Sequence, residues 1–217
     1  MDTRTNQQRL VLSIVLNIAF IAAEVWAFIT LFKDFGWSLI QQFGMLSNII
    51  AVIASLVGLV FTVLALLKGD SFIPMTVKFV KYIATTAMAL TFVLILFLLA
   101  PRAAFDGDSF FAYYAFPLFI TNLICPILSI VDFIFLSPSE RLEGLHFIMT
   151  LLPAVIYMIV LFILNGIGTV QGPYYFLEIK SYPVIVNILM FVVITVLDVT
   201  VAYILRKLEA NFGPFVH

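Results

Sequence analysis

Glu24, Ser47, Asn48, Thr91, Asn122 and Asn187 carry the side chains of this sequence that stand inside apolar runs and can still do chemistry. An amide offers donors and an acceptor, a hydroxyl offers both from one oxygen, and an ionised carboxylate only accepts. In hydrocarbon each of these groups needs a partner, so such residues face neighbouring helices or a wet cavity. A ring of them can hold a polar headgroup, and a serine hydroxyl beside a carboxylate base can attack an ester. Asp132 and Asp198 also interrupt apolar runs. Arg141, Arg206 or Lys207 can reach them by extending along the interface, which makes the two aspartates anchors rather than a site.

One stretch concentrates these features. Pro117 to Leu136, PLFITNLICPILSIVDFIFL, combines Asn122, Pro126 and Asp132 in a segment of about the 20 residues needed to cross a bilayer. Pro126 has no amide hydrogen, and its ring pushes against the carbonyl of Asn122 one turn back. That predicts a freed backbone acceptor beside the Asn122 amide, with Ser47, Asn48, Thr121 or a ligand as partners. The alternative is that Asn122 only ties two helices together. Pro153 frees the Met149 carbonyl in the same way, with Thr150 to answer it, and reads as a packing kink.

Placing these residues requires spanning helices. The chain of 217 residues is 64% hydrophobic and 11% charged, with a mean hydropathy of +1.18, far from the roughly 25% charged of soluble domains. It reads as an all-α polytopic membrane protein, one domain over residues 1–217. Six transmembrane helices are predicted at about 10–32, 43–67, 78–100, 117–136, 145–164 and 183–205. MDTRTNQQRL leads into the first without a small-residue cleavage pattern, so that helix reads as retained.

Counting cations on alternate sides sets Arg4, Arg9, Lys68, Lys78, Lys81, Arg141, Arg206 and Lys207 against Lys33, Arg102 and Lys180. The excess places both termini in the cytoplasm, as expected for a multi-pass protein of a bacterial cytoplasmic membrane. At ~1.5 Å of rise per residue, Ser47, Asn48, Asn122 and Asn187 then lie within roughly 10 Å of the outer surface. Glu24 and Thr91 come a little deeper, completing a polar layer in the outer half.

Several functions are disfavoured. The net charge is −1, and the Lys and Arg residues are scattered between apolar runs, so no nucleic-acid partner is expected. GxSxG, HExxH, a Walker loop and a metal-spaced His or Cys cluster are all lacking, so no cofactor and no metal are predicted. Cys125 reads as a buried, inert thiol. His146 reads as interfacial, and His217 is the last residue; neither belongs to the polar layer. Gly166 and Gly168 fall at a loop end, where they give little support to a dimer.

The runs FGMLSNIIAV, KYIATTAMALTFVLILFLLAP, ITNLICPILSIVDFIFL and GPYYFLEI, in this order, resemble bacterial six-helix relatives of the androgen-induced-gene-like integral membrane proteins. The resemblance covers nearly the whole chain from the second helix onward. It implies a hydrolase-like architecture, since animal members split fatty acid esters of hydroxy fatty acids in the bilayer with a threonine nucleophile and a histidine. In the bacterial relatives the threonine directly follows an aromatic residue in a pattern of aromatic, Thr, two residues, Ser, Asn, and the histidine lies four residues before the proline of the fourth helix. Here those positions hold Gly44, after Phe43, and Asn122, before Pro126, while Ser47 and Asn48 complete the pattern. An amide has no basic lone pair near neutral pH, so the implied chemistry lacks both of its groups.

The chain therefore reads as a membrane protein with an outer-half polar pocket that binds a membrane lipid or other amphiphile, the catalytic pair being replaced. Glu24, Ser47, Asn48, Thr91, Asn122 and Asn187 are its expected contacts. One alternative is an active lipid-ester hydrolase using Ser47, with Glu24 as base. Another is a small transporter or the substrate-binding subunit of one, dependent on Glu24, and a purely structural helical protein is the plainest reading.

Overall fold

Apolar runs without a breaker satisfy their backbone groups most completely as helices. The computed structural model, which describes residues 3–142, 146–174, 178–179 and 182–215, is helical with no strand among those residues. We number the main helices α1 (Thr3–Phe35), α2 (Phe43–Lys68), α3 (Met75–Phe105), α4 (Ile120–Leu136), α5 (Phe147–Gly166) and α6 (Val184–Phe212). Five of them are long and apolar enough to cross a membrane, and α4 is a shorter apolar helix. The GPYYFLEI segment is described only in part, and Leu145, Lys180, His217 and the His146 side chain lie outside the description.

Each boundary has a local cause. Gly36, at φ +55°, turns the end of α1 into a 3-10 segment, Gly36–Gln41. α2 ends at Gly69 in the left-handed conformation, with Gly69 N–H donating to Leu66 O and Asp70 N–H to Ala65 O, the double closure that glycine permits. Two proline effects differ from expectation. Around Pro126 the chain widens into a π-turn, Ile120–Ile124, and continues as helix. At Pro153, α5 does more than kink: it breaks at Thr150–Leu151 and restarts at Leu152, with the Thr150 hydroxyl donating to Phe147 O at 2.6 Å. The break follows from Pro153 offering no N–H to the Met149 carbonyl and its ring pushing against that carbonyl, while Leu152 itself stays helical.

α3 is the centre of the bundle. It packs against α2, α4, α5 and α6, while α1 packs against α2 and α4. In its most apolar stretch 61% of residues are buried, against at most 33% in the other four long helices. The outer surface is apolar, with residues such as Val15, Ile29, Leu56, Ile163 and Val196 exposed. The interior holds Asn6, Ser13, Asn17, Lys78, Lys81, Asp132 and Glu209 among its buried polar groups. That inside-out distribution suits a lipid surround and would leave a large sticky surface in water.

Lys78 and Lys81 are not flanking charges. Both are buried in α3, so they drop out of the orientation count, although the excess on their side persists without them. Asp132 is answered by Lys81, not by Arg141, Arg206 or Lys207. The Ser13 hydroxyl donates to Asp132 Oδ1 at 2.5 Å and the Asn17 amide to Oδ2 at 3.1 Å, both from α1. Lys78 Nζ donates to the carbonyls of Phe133 (2.9 Å) and Ser137 (2.7 Å) and sits 3.4 Å from Glu209. A cation is well placed there, because the last carbonyls of a helix are unpaired and carry the negative end of its dipole.

Candidate functional site

At the end of the bundle away from this charge cluster lies a cavity of about 260 Å³. α2 contributes Phe43, Gly44 and Met45; α3 contributes Leu90, Thr91 and Leu94; α4 contributes Asn122. Ala154, Tyr157 and Met158 of α5 and Ile194 of α6 complete the wall, and Tyr113 and Tyr174 enter from the connecting segments. Gly44 and Asn122, far apart in sequence, thus line one space.

The sequence explains how the wall is built. The tyrosines and phenylalanines cluster where the chain turns at the helix ends, as amphipathic rings do near an interface. Tyr157 packs against Phe43 with ring centroids 5.1 Å apart and donates its hydroxyl to Gln41 O at 2.7 Å. Asn122 Nδ2 donates to Tyr113 O at 2.9 Å, which ties α4 to the 3-10 segment Phe110–Tyr114, and Thr121 lies beside the Asn122 carbonyl oxygen at 3.4 Å. Of the partners expected for this amide, Thr121 is present, and Ser47 and Asn48 are not.

The six expected contacts are all buried, but they do not form one ring. Thr91 and Asn122 line the cavity; Glu24, Ser47, Asn48 and Asn187 do not. Ser47 sits behind Thr91, its hydroxyl donating to Gly44 O at 2.8 Å with Thr91 Oγ1 3.0 Å away. The Thr91 hydroxyl in turn has Ala87 O at 3.1 Å. Glu24 faces the buried Cys125 thiol of α4 rather than Ser47, and its Oε1 has no hydrogen-bond partner among the described residues. Asn48 Nδ2 and both polar atoms of the Asn187 amide are likewise unpartnered, as are both oxygens of Asp198.

Chemically the cavity is neutral. Its lining among the described residues offers hydroxyls, amides and apolar surface, with no carboxylate, imidazole, amine or thiol. Burial pushes the Tyr174 phenol up to about 12, with backbone hydrogen bonds at Gly44 and Phe43 acting the other way. Burial, with Asp108 nearby, raises that of Tyr113. Both phenols are therefore neutral donors near pH 7, suited to holding an oxygen and unsuited to taking a proton. No group of three or more His, Cys, Asp or Glu is gathered to hold a metal among the described residues.

Sequence reasoning missed Lys78, Lys81, Ser13 and Asn17 as interior groups. A signal was there: Lys78, Lys81, Tyr82 and Thr85 fall on one face of α3 by their i, i+3, i+4, i+7 spacing. That marks a polar stripe rather than a helix end. Tyr113, Tyr157 and Tyr174 were hidden because nothing local distinguishes a lining tyrosine from an interfacial one.

Comparison with protein-family models, with curated proteins and with solved structures gives no match.

Proposed function

We propose that this protein binds a membrane lipid or other single-chain amphiphile in the cavity between α2, α3, α4, α5 and α6, without carrying out ester hydrolysis. The observation that carries this reading is the meeting of Gly44 and Asn122 in one wall. These are the two positions where the family this chain resembles places its threonine and histidine. A cavity that gathers both, is largely apolar and lacks a base supports a pocket of that type kept for binding. The proposal includes a bacterial cytoplasmic membrane and cytoplasmic termini. The test is labelling of the full chain in nanodiscs by a diazirine-bearing long-chain fatty acid, with adducts mapped to single residues. Adducts at Leu94 and Met158 that unlabelled amphiphile removes support the reading, and adducts confined to the outer surface oppose it.

A transporter, or the substrate-binding subunit of one, is the second reading, and Glu24 favours it. An acid buried at membrane depth with an unpartnered oxygen is a common element of proton-coupled transport. Flux that is unchanged in Glu24→Gln removes that support. Hydrolysis through Ser47 is the remaining alternative, and a fluorophosphonate probe that labels the native chain but not Ser47→Ala would establish it.

A further inference from the structure

Beside the inner cavity, α2 and α5 meet at few points and leave a cleft of about 690 Å³ between them. That volume falls within the roughly 300–1,000 Å³ of small-molecule sites. Its walls are almost wholly apolar, with Leu46 and Ile50 on α2 and Ile156 and Val160 on α5. Ile156 and Val160 are 55% and 46% exposed, so the cleft opens sideways on the lipid-facing surface rather than toward a loop. Phe43 and Tyr157 line both spaces, so this ring pair is the partition between cleft and cavity.

We propose that the cleft seats one acyl chain of a membrane amphiphile and is the lateral entrance to the inner cavity, with Phe43 as the movable part of the partition. This rests on the reading of the inner cavity as an amphiphile site. The occupant follows from the surroundings, because a cleft open to hydrocarbon at membrane depth, whose polar lining is chiefly Gln41 and Tyr157 with the Tyr157 hydroxyl already bonded to Gln41 O, is filled by a hydrocarbon chain. The two rings are not held alike. Tyr157 is fixed by its hydrogen bond to Gln41 O, whereas Phe43, the first residue of α2, is kept in place by packing alone. Rotation of Phe43 would join the two spaces. An amphiphile could then slide its chain inward from the bilayer while its polar end stays near the amide and phenols at the end of the bundle.

The test follows the rate of residue-level labelling in nanodiscs with the same diazirine fatty acid. Ile156→Trp combined with Val160→Trp narrows the cleft from its lipid-facing rim, where the extra bulk leaves the fold unburdened. Ala112→Trp, at an exposed position of the cavity lining, narrows the other mouth. We expect the cleft variant to slow labelling of Leu94 and Met158 by about tenfold, a barrier increment of ~1.4 kcal/mol. Phe43→Ala should speed it, and Ala112→Trp should slow it far less than the cleft variant does. If Ala112→Trp slows inner labelling and the cleft variant does not, the entrance is the other mouth and this proposal is overturned while the amphiphile reading stands. If inner residues are labelled in none of the proteins, the amphiphile reading fails and takes this proposal with it.

Discussion

Lys81 of α3 and Asp132 of α4 meet as a buried ion pair, and α1 completes it with Ser13 and Asn17. Three helices are thereby tied at one level, where neither charge has water to fall back on. Removing one partner leaves the other unpaired, which costs about 3–5 kcal/mol in buried pairs. Lys81→Met and Asp132→Leu should each lower the thermal midpoint sharply in mild detergent, while the double variant recovers much of the loss. Single variants as stable as the native chain would show that the pair contributes nothing.

Gly58 makes room for this pair. A Cβ there would meet Lys81 Cε at 2.6 Å, and Lys81 cannot swing away without leaving Asp132 and Ser137. Gly58→Ala should therefore carry an overpacking cost of about 1–3 kcal/mol. The gain in helix propensity over Gly, about 1 kcal/mol, opposes this and is the smaller effect at the upper end of that range. A more stable Gly58→Ala protein in a chemical-unfolding series would contradict this packing.

Asn122 holds the Phe110–Tyr114 segment through Tyr113 O. Asn122→Leu leaves that carbonyl without its donor, a loss of about 1–3 kcal/mol. Limited proteolysis between Asp106 and Phe116 should speed up while cleavage elsewhere is unaltered. Unchanged cleavage there would mean that the amide does not secure the segment.

Much of this was legible beforehand. Apolar runs and their breakers account for the five long apolar helices, while α4, expected to span at about 117–136, is a shorter apolar helix starting at Ile120, and Thr91, Asn122 and Gly44 line one cavity. The burial of Lys78 and Lys81 was not read, because the rule that counts cations at helix ends treats a lysine near a boundary as solvated. Which buried amides face a cavity is a matter of helix rotation, and Asn122 and Asn187 look alike in depth while only Asn122 reaches the lining. The break at Pro153 depends on local turn geometry that a kink rule does not resolve.

Gly44→Thr combined with Asn122→His places a hydroxyl and an imidazole at the two positions the resemblance singles out. A Cβ at position 44 comes within 3.2 Å of Thr91 Cγ2, a contact that a shift of a few tenths of an ångström relieves. The double variant should gain measurable cleavage of a fatty acid ester of a hydroxy fatty acid, and neither single variant should. A folded but inactive double variant would count against placing the family's pair at these positions.

Tyr174 gives a pH signature. Its phenol is held at about 12 in the folded protein against an ordinary value of 10.0. The neutral form is the one the fold favours, so this contribution to stability is complete below pH 10 and is lost as pH rises from 10 through 12. Tyr174→Phe should flatten that part of the stability profile and leave the region near pH 7 unchanged. An identical alkaline profile in the variant would show that Tyr174 is not held in this way.

On the proposed function, the inner cavity holds an amphiphile. Native mass spectrometry of the chain released from nanodiscs, compared with Ala154→Trp, tests it most directly, since Ala154 lines the cavity and an indole there would occupy it. The native protein should carry one amphiphile per chain, and a folded Ala154→Trp protein should carry none. Equal retention in both, or none in either, would contradict the account.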